Sequence, residues 1–153
     1  MWWTVFSSCV VLGLVLESWR RLLAVRALWD VAAPFLKATR RAPPEREQRA
    51  YVADLNEATL EIGAGLARAG IVPKSCAKAA LSLGALVALL ESAELVRGDG
   101  AQPWLVPAVS FVGGFLGALV CLLIGRVAEA EARRLRADWA SLIRRSSRDV
   151  PTG

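Results

Sequence analysis

The chain has 153 residues, 55% of them hydrophobic and 22% charged, with 19 Lys and Arg against 14 Asp and Glu and no histidine. That length leaves room for one domain at most, and the missing histidine excludes His-based catalysis and His metal sites. A mean hydropathy of +0.41 beside so much charge requires the two to be segregated along the chain. This points to an all-α fold: a three-span helical membrane protein with a cytoplasmic helical segment and a long charged C-terminal helix.

The first predicted element is residues 2–16, WWTVFSSCVVLGLVL, which carries no charge. Extended through Glu17, Ser18 and Trp19 it becomes just long enough to span, since roughly 20 residues cross the hydrocarbon core. Its rival is a cleaved signal peptide, which needs positive charge before the apolar run and a small-residue site after it. No Lys or Arg precedes the run and Arg20 and Arg21 follow it, so residues 1–19 are expected to be a retained first span.

Residues 20–74 read as a cytoplasmic helical segment in two parts. From Trp19 to Ala38, Leu22, Val25, Leu28, Trp29, Ala32 and Leu36 recur at a near-helical period. This part either continues the first span or lies along the membrane surface. RRAPPER (40–46) is a break, because Pro43 and Pro44 cannot continue a helix. A second pattern, residues 45–69, puts Tyr51, Leu55, Ala58, Ile62 and Leu66 on one face, and GIVPKS (70–75) ends or kinks it. The run GAGLARAG (63–70) follows a helical pattern and not a strand, which argues against a phosphate-binding loop.

Residues 75–125 are expected to form a helical hairpin in the membrane. The second span, 75–96, is charge-free only over 79–90, with Lys78 placed to snorkel at one end and Glu91 and Glu94 at the other. Gly98 and Gly100 break the helix, Pro103 restarts it and Trp104 suits an interface. Residues 104–124, WLVPAVSFVGGFLGALVCLLI, then run for 21 residues without a charge. Beyond them residues 126–153 form a basic helix and tail: 127–145 is a charged helix with Leu135, Trp139, Leu142 and Ile143 as its stripe, and SSRDVPTG is expected to fray.

Lys and Arg set the orientation. Residues 17–78 hold 11 of them, the chain from Arg126 onward holds 7, and the link between the second and third spans holds only Arg97. The positive-inside rule puts the N-terminus outside and the C-terminus inside. This asymmetry accounts for the net charge of +5 without a nucleic-acid partner.

Few residues carry chemistry. Cys9, Cys76 and Cys121 fall one per predicted span with no paired spacing, so each reads as a small hydrophobe. No nucleophile setting stands out; no enzyme activity, cofactor or metal is expected. Small residues recur at every fourth position: Gly113, Gly117, Cys121 and Gly125, flanked by Gly114 and Ala118, and Ala80, Gly84, Ala88 and Ser92. Such ridges let helix backbones approach closely, so Gly84, Ala88, Gly113, Gly114, Gly117 and Cys121 are the packing candidates. Ser82, Ser110, Glu91 and Glu94 are the polar groups available to an ion pathway. The alternatives are serines bonded back to their own helix and glutamates that mark the outer end in water.

The stretches EATLEIGAGLARAG (57–70), ALSLGALVALLESAEL (80–95) and VSFVGGFLGALVCLLIGRVAEAEARRLRADWASLIRR (109–145) resemble the MotA/TolQ/ExbB proton-channel family. The likeness lies in a lead-in helix, a Leu-Gly-Leu-Leu-Gly-Thr-Val-x-Gly span, and a Thr-Ala-x-Gly-Leu-x-x-Ala-Ile-Pro span with its charged extension. Gly84 matches the glycine before the family's pore threonine, whose place holds Ala85. The Thr-Ala-x-Gly-Leu positions read Phe111, Val112, Gly113, Gly114 and Phe115, and the later proline is Val120. The resemblance implies an inner-membrane subunit of a proton-driven energy-transducing complex, homo-oligomeric around a single-span partner. Two other readings stay open: a non-conducting scaffold with the same packing surfaces, and an unrelated three-span protein that recruits a cytoplasmic partner or anionic lipid.

Overall fold

The computed structural model describes residues 2–38, 48–69, 71–96 and 105–146. They form four helices, α1 (Trp2–Ala38), α2 (Gln48–Arg68), α3 (Ile71–Val96) and α4 (Leu105–Ser146). The expected break at 40–46, the link at 97–104 and the tail after 146 lie outside the described residues.

Three expected boundaries differ from the helices. Residues 19 and 125 fall inside α1 and α4, which run unbroken from apolar into charged sequence. Nothing there stops a helix: Ser18 bonds back to the Leu14 carbonyl at 2.9 Å, and Arg21 reaches Glu17 one turn earlier at 2.9 Å. The charged C-terminal stretch is therefore the continuation of α4. The second apolar helix begins at Ile71 rather than at residue 75, because Pro73 sits in its first turn, where a missing N–H costs no hydrogen bond.

The helices make two stacked bundles. The apolar one joins the first half of α1, all of α3 and the first half of α4, with Cys76, Ala77, Ala80, Ala118 and Cys121 at its centre and Val11, Leu14 and Val15 packed on them. The charged one joins the second half of α1, α2 and the second half of α4. Its core is Val25, Ala32, Leu55, Ala58, Ile62, Leu66, Leu135, Trp139 and Leu142, with Leu28, Trp29, Leu36 and Tyr51 against it. Of the stripes predicted for these three segments, only Ile143 faces out.

Two helical stretches, within Ala53–Val96 and Leu105–Arg144, are long and apolar enough to cross a membrane, with mean hydropathy 1.7 and 2.3. A core helix of a water-soluble protein would be mostly buried, yet these windows are only 22% and 33% buried. Leu81, Leu86, Leu89, Phe111, Phe115, Leu116, Leu119 and Leu123 all point outward. Soluble monomers rarely expose a contiguous apolar surface of that extent, which supports a membrane location.

The buried positions of α4 in the apolar bundle include the series Pro107, Ser110, Gly114, Gly117, Cys121, Ile124 and Ala128, with Ala118 and Gly125 beside it, and those of α3 the series Pro73, Ala77, Ala80, Gly84, Val87 and Glu91, with Cys76 beside it. Spacings of three and four alternate, a period near 3.5, which winds neighbouring helices left-handed at about 20°. At the seam a Cβ placed on Gly84 would meet the Gly114 Cα at 2.7 Å, and one on Gly114 would meet the Gly84 Cα at 2.6 Å. Backbone touches backbone there. A Cβ on Gly117 would run into the Cγ1 of Val11, and one on Gly125 would meet Pro73 at 2.9 Å. The four-residue ridges hold over Ala80 and Gly84 and over Gly117, Cys121 and Gly125, all buried, with Gly114 beside them, and depart at their ends: Ala88 is half-buried, and Ser92 and Gly113 face out. Steps of four overshoot a 3.6-residue turn by about 40° each, so such a ridge drifts off any straight contact.

A polar tie joins the two bundles, and two others hold α2 to α4 within the charged one. Lys74 near the start of α3 pairs with Glu129 of α4 at 2.6 Å. That bond, with the charge of Lys74 and then Arg133, holds the Glu129 carboxyl below its ordinary 4.5 against the opposing effect of burial. Arg136 donates to the Leu66 carbonyl at 3.0 Å, closing the end of α2, and the Trp139 indole donates to the Thr59 hydroxyl at 3.1 Å.

Candidate functional site

Glu91 lies four-fifths of the way along α3 and is 5% exposed. The alternating spacing that buries Gly84 and Val87 carries it to the same covered side. The Thr4 hydroxyl, in the first turn of α1, donates to its Oε1 at 2.6 Å, and the Ser110 hydroxyl, near the start of α4, donates to its Oε2 at 2.7 Å. Each carboxylate oxygen is therefore bound by a different helix. Ser110 is itself 4% exposed, and Ser7, 3% exposed, follows Thr4 by one turn on the same face of α1.

A carboxyl group withdrawn from water is tolerable when its oxygens are hydrogen-bonded. Two short hydroxyl bonds supply this at the end of the bundle farthest from the charged half. Toward the charged half the interior becomes apolar: Val87, Gly84, Ala80, Ala77 and Cys76 on α3 face Gly114, Gly117, Ala118 and Cys121 on α4. The contact of Gly84 with Gly114 leaves no room for a side chain or a file of water between these two helices.

The four polar candidates consequently separate. Glu91 and Ser110 meet. Ser82 is exposed on the side of α3 away from Gly84, and Glu94 is exposed although it follows Glu91 by one turn. The covered side of α3 passes from Glu91 to the half-buried Leu95, which turns Glu94 outward. Of the two glutamates expected at this end of the span, only Glu91 is therefore covered. Thr4 was not anticipated as a partner. The signal was present in the spacing Thr4, Ser7, Val11, Leu14, Ser18, the same alternation of three and four that marks the other seams.

Among the described residues no three His, Cys, Asp or Glu side chains gather as a metal-binding group. Cys76 and Cys121 are buried and Cys9 is exposed, all as free thiols. Residues 63–68 are part of α2, where Gly65 lets Leu28 of α1 approach, a Cβ there meeting the Leu28 Cδ1 at 2.7 Å. No protein-family model, curated protein or solved structure matches the chain.

Proposed function

We propose that this chain is a three-span membrane scaffold subunit that holds a charged helical bundle on the cytoplasmic side of a bacterial inner membrane and conducts no ion through its own interior. The observation that carries this reading is the double hydroxyl bond on Glu91 above a closed glycine seam. A carboxyl group so held ties α1, α3 and α4 together, and past Gly84 and Gly114 the one buried polar side chain of the apolar bundle among the described residues is Ser18, whose hydroxyl is bonded back to the Leu14 carbonyl. The first half of α1 serves as the third span, because it shares the apolar bundle and turns Val5, Phe6, Leu12 and Leu16 outward. Its partners are the bilayer and further copies of itself, with a single-span protein as a further candidate.

One observation favours a second reading, the proton-driven subunit that the MotA/TolQ/ExbB resemblance implies. A buried acid with two hydroxyl partners is the kind of group that intramembrane proton pathways use. Such a path would have to run between copies of the chain, where Ser82 faces out. Proton flux into proteoliposomes, read with an internal pH dye, separates the two. Scaffold function predicts background flux for the wild type and for Glu91→Gln alike. Flux above background in the wild type, alone or with a one-span partner, that is lost in an assembled Glu91→Gln variant would overturn the scaffold and support the channel.

A further inference from the structure

Beside α4, between the end of α2 and the start of α3, lies a cleft of about 320 Å³ lined by Leu66, Ala69, Ile71, Lys74, Arg133 and Arg136, with Glu129 on one wall. This is within the size range of ligand clefts. Its charge is unbalanced: three cations face one carboxylate. Two of the cations are only partly engaged. Lys74 uses one of its three donors on Glu129, and Arg136 spends one of five on the Leu66 carbonyl. Arg133 is exposed on the rim.

The position of the cleft matters as much as its charge. Lys74 follows Pro73, which packs on Gly125, and Gly125 ends the uncharged run of α4. The cleft therefore sits at the level where apolar surface gives way to charge. Ile71 beside it is 65% exposed, and the lipid-facing residues of α3 and α4 begin directly beyond. A ligand here meets basic donors at one end and apolar helix surface at the other.

We infer that this cleft binds the phosphate headgroup of an anionic phospholipid from the cytoplasmic leaflet, with Arg133, Lys74 and Arg136 as its donors. Basic pockets beside membrane helices on the cytoplasmic side take such headgroups, and guanidinium matches the two oxygens of a phosphodiester in one plane. The acyl chains then lie along the outward faces of α3 and α4. A free phosphate offers the same oxygens but nothing for Ile71 and the surfaces beyond it. The inference rests on the membrane placement of α3 and α4.

The test uses the full chain in nanodiscs of phosphatidylcholine with or without phosphatidylglycerol, read as lipid retained on the protein in native mass spectrometry and as thermal stability. Phosphatidylglycerol should be retained in preference to phosphatidylcholine and should raise the melting temperature. Arg133→Gln should weaken retention about tenfold, because charge-assisted bonds to the headgroup are lost. Arg134→Gln removes the same charge from an exposed neighbour outside the cleft and should change it no more than about twofold, the effect of a screened surface charge. Equal losses in the two variants, or equal retention of the two lipids, would overturn the site. Inorganic phosphate or glycerol phosphate that stabilises the protein as well as the lipid does would overturn the lipid assignment. Failure of the membrane placement shows separately, as protein released from membranes by alkaline carbonate.

Discussion

Glu91 is the residue on which the apolar bundle turns. Its two bonds come from hydroxyls 87 and 19 residues away in sequence, so each stabilises a contact between helices and not a local turn. Hydrogen bonds to a charged group contribute about 1.5–3 kcal/mol in soluble proteins, whereas polar pairs measured within a membrane average about 0.6. At the end of the bundle an intermediate worth of about 1 kcal/mol per bond is expected. Glu91→Ala should therefore lose about 2 kcal/mol together with the contacts of the side chain, visible as a lower melting temperature in detergent. Glu91→Gln keeps a carbonyl acceptor and a similar shape and should lose less than half as much. An alanine variant as heat-stable as the wild type would remove Glu91 from the architecture. The acid and Ser110 were legible in sequence as polar groups inside apolar runs. Thr4 was not singled out, because a threonine close to the start of an apolar run looks like an interfacial residue until its helix partners are known.

At the scale of elements, the helical pieces and their covered faces could be read from periodicity, including the stripes of α1, α2 and the second half of α4. Helix ends and the phase of the seams were less legible. Small residues every fourth position make a conspicuous pattern, but packing selects the alternation of three and four that a left-handed crossing requires. Gly113 and Gly114 separate the two rules, being adjacent and chemically identical. Gly114→Ala would force two backbones apart and should cost about 1–3 kcal/mol, as overpacking does. Gly113→Ala meets nothing within 4 Å and should be neutral or slightly stabilising through helix propensity, by at most about 1 kcal/mol. Melting of the two variants in detergent checks this. Equal destabilisation would mean that Gly113 packs against another copy of the chain.

The whole molecule is built on α1 and α4, each of which runs through both bundles and keeps one covered stripe as its outer surface changes from apolar to charged. That continuity could not be read from composition, because a shift from Leu to Arg on the outside suggests a boundary even where the covered side is uninterrupted. It also fixes the two ends relative to each other: the Glu91 bridge lies at one end of the apolar bundle, and Lys74, Arg126 and the charged bundle lie at the other. Along the sequence, residues 17–78 hold 11 Lys and Arg and the chain from Arg126 onward holds 7, against Arg97 alone between α3 and α4. A bias of that size in short segments orients membrane proteins with the basic side in the cytoplasm. Reporter fusions at Arg46, Gly100 and Gly153 should accordingly read inside, outside and inside. Arg46 and Gly153 on opposite sides would mean that an odd number of spans separates them instead of two, and would remove the three-span topology. A cytoplasmic Gly100 with both others outside would keep the three spans but invert them, placing the basic cleft against the outer leaflet and Glu91 at the cytoplasmic face.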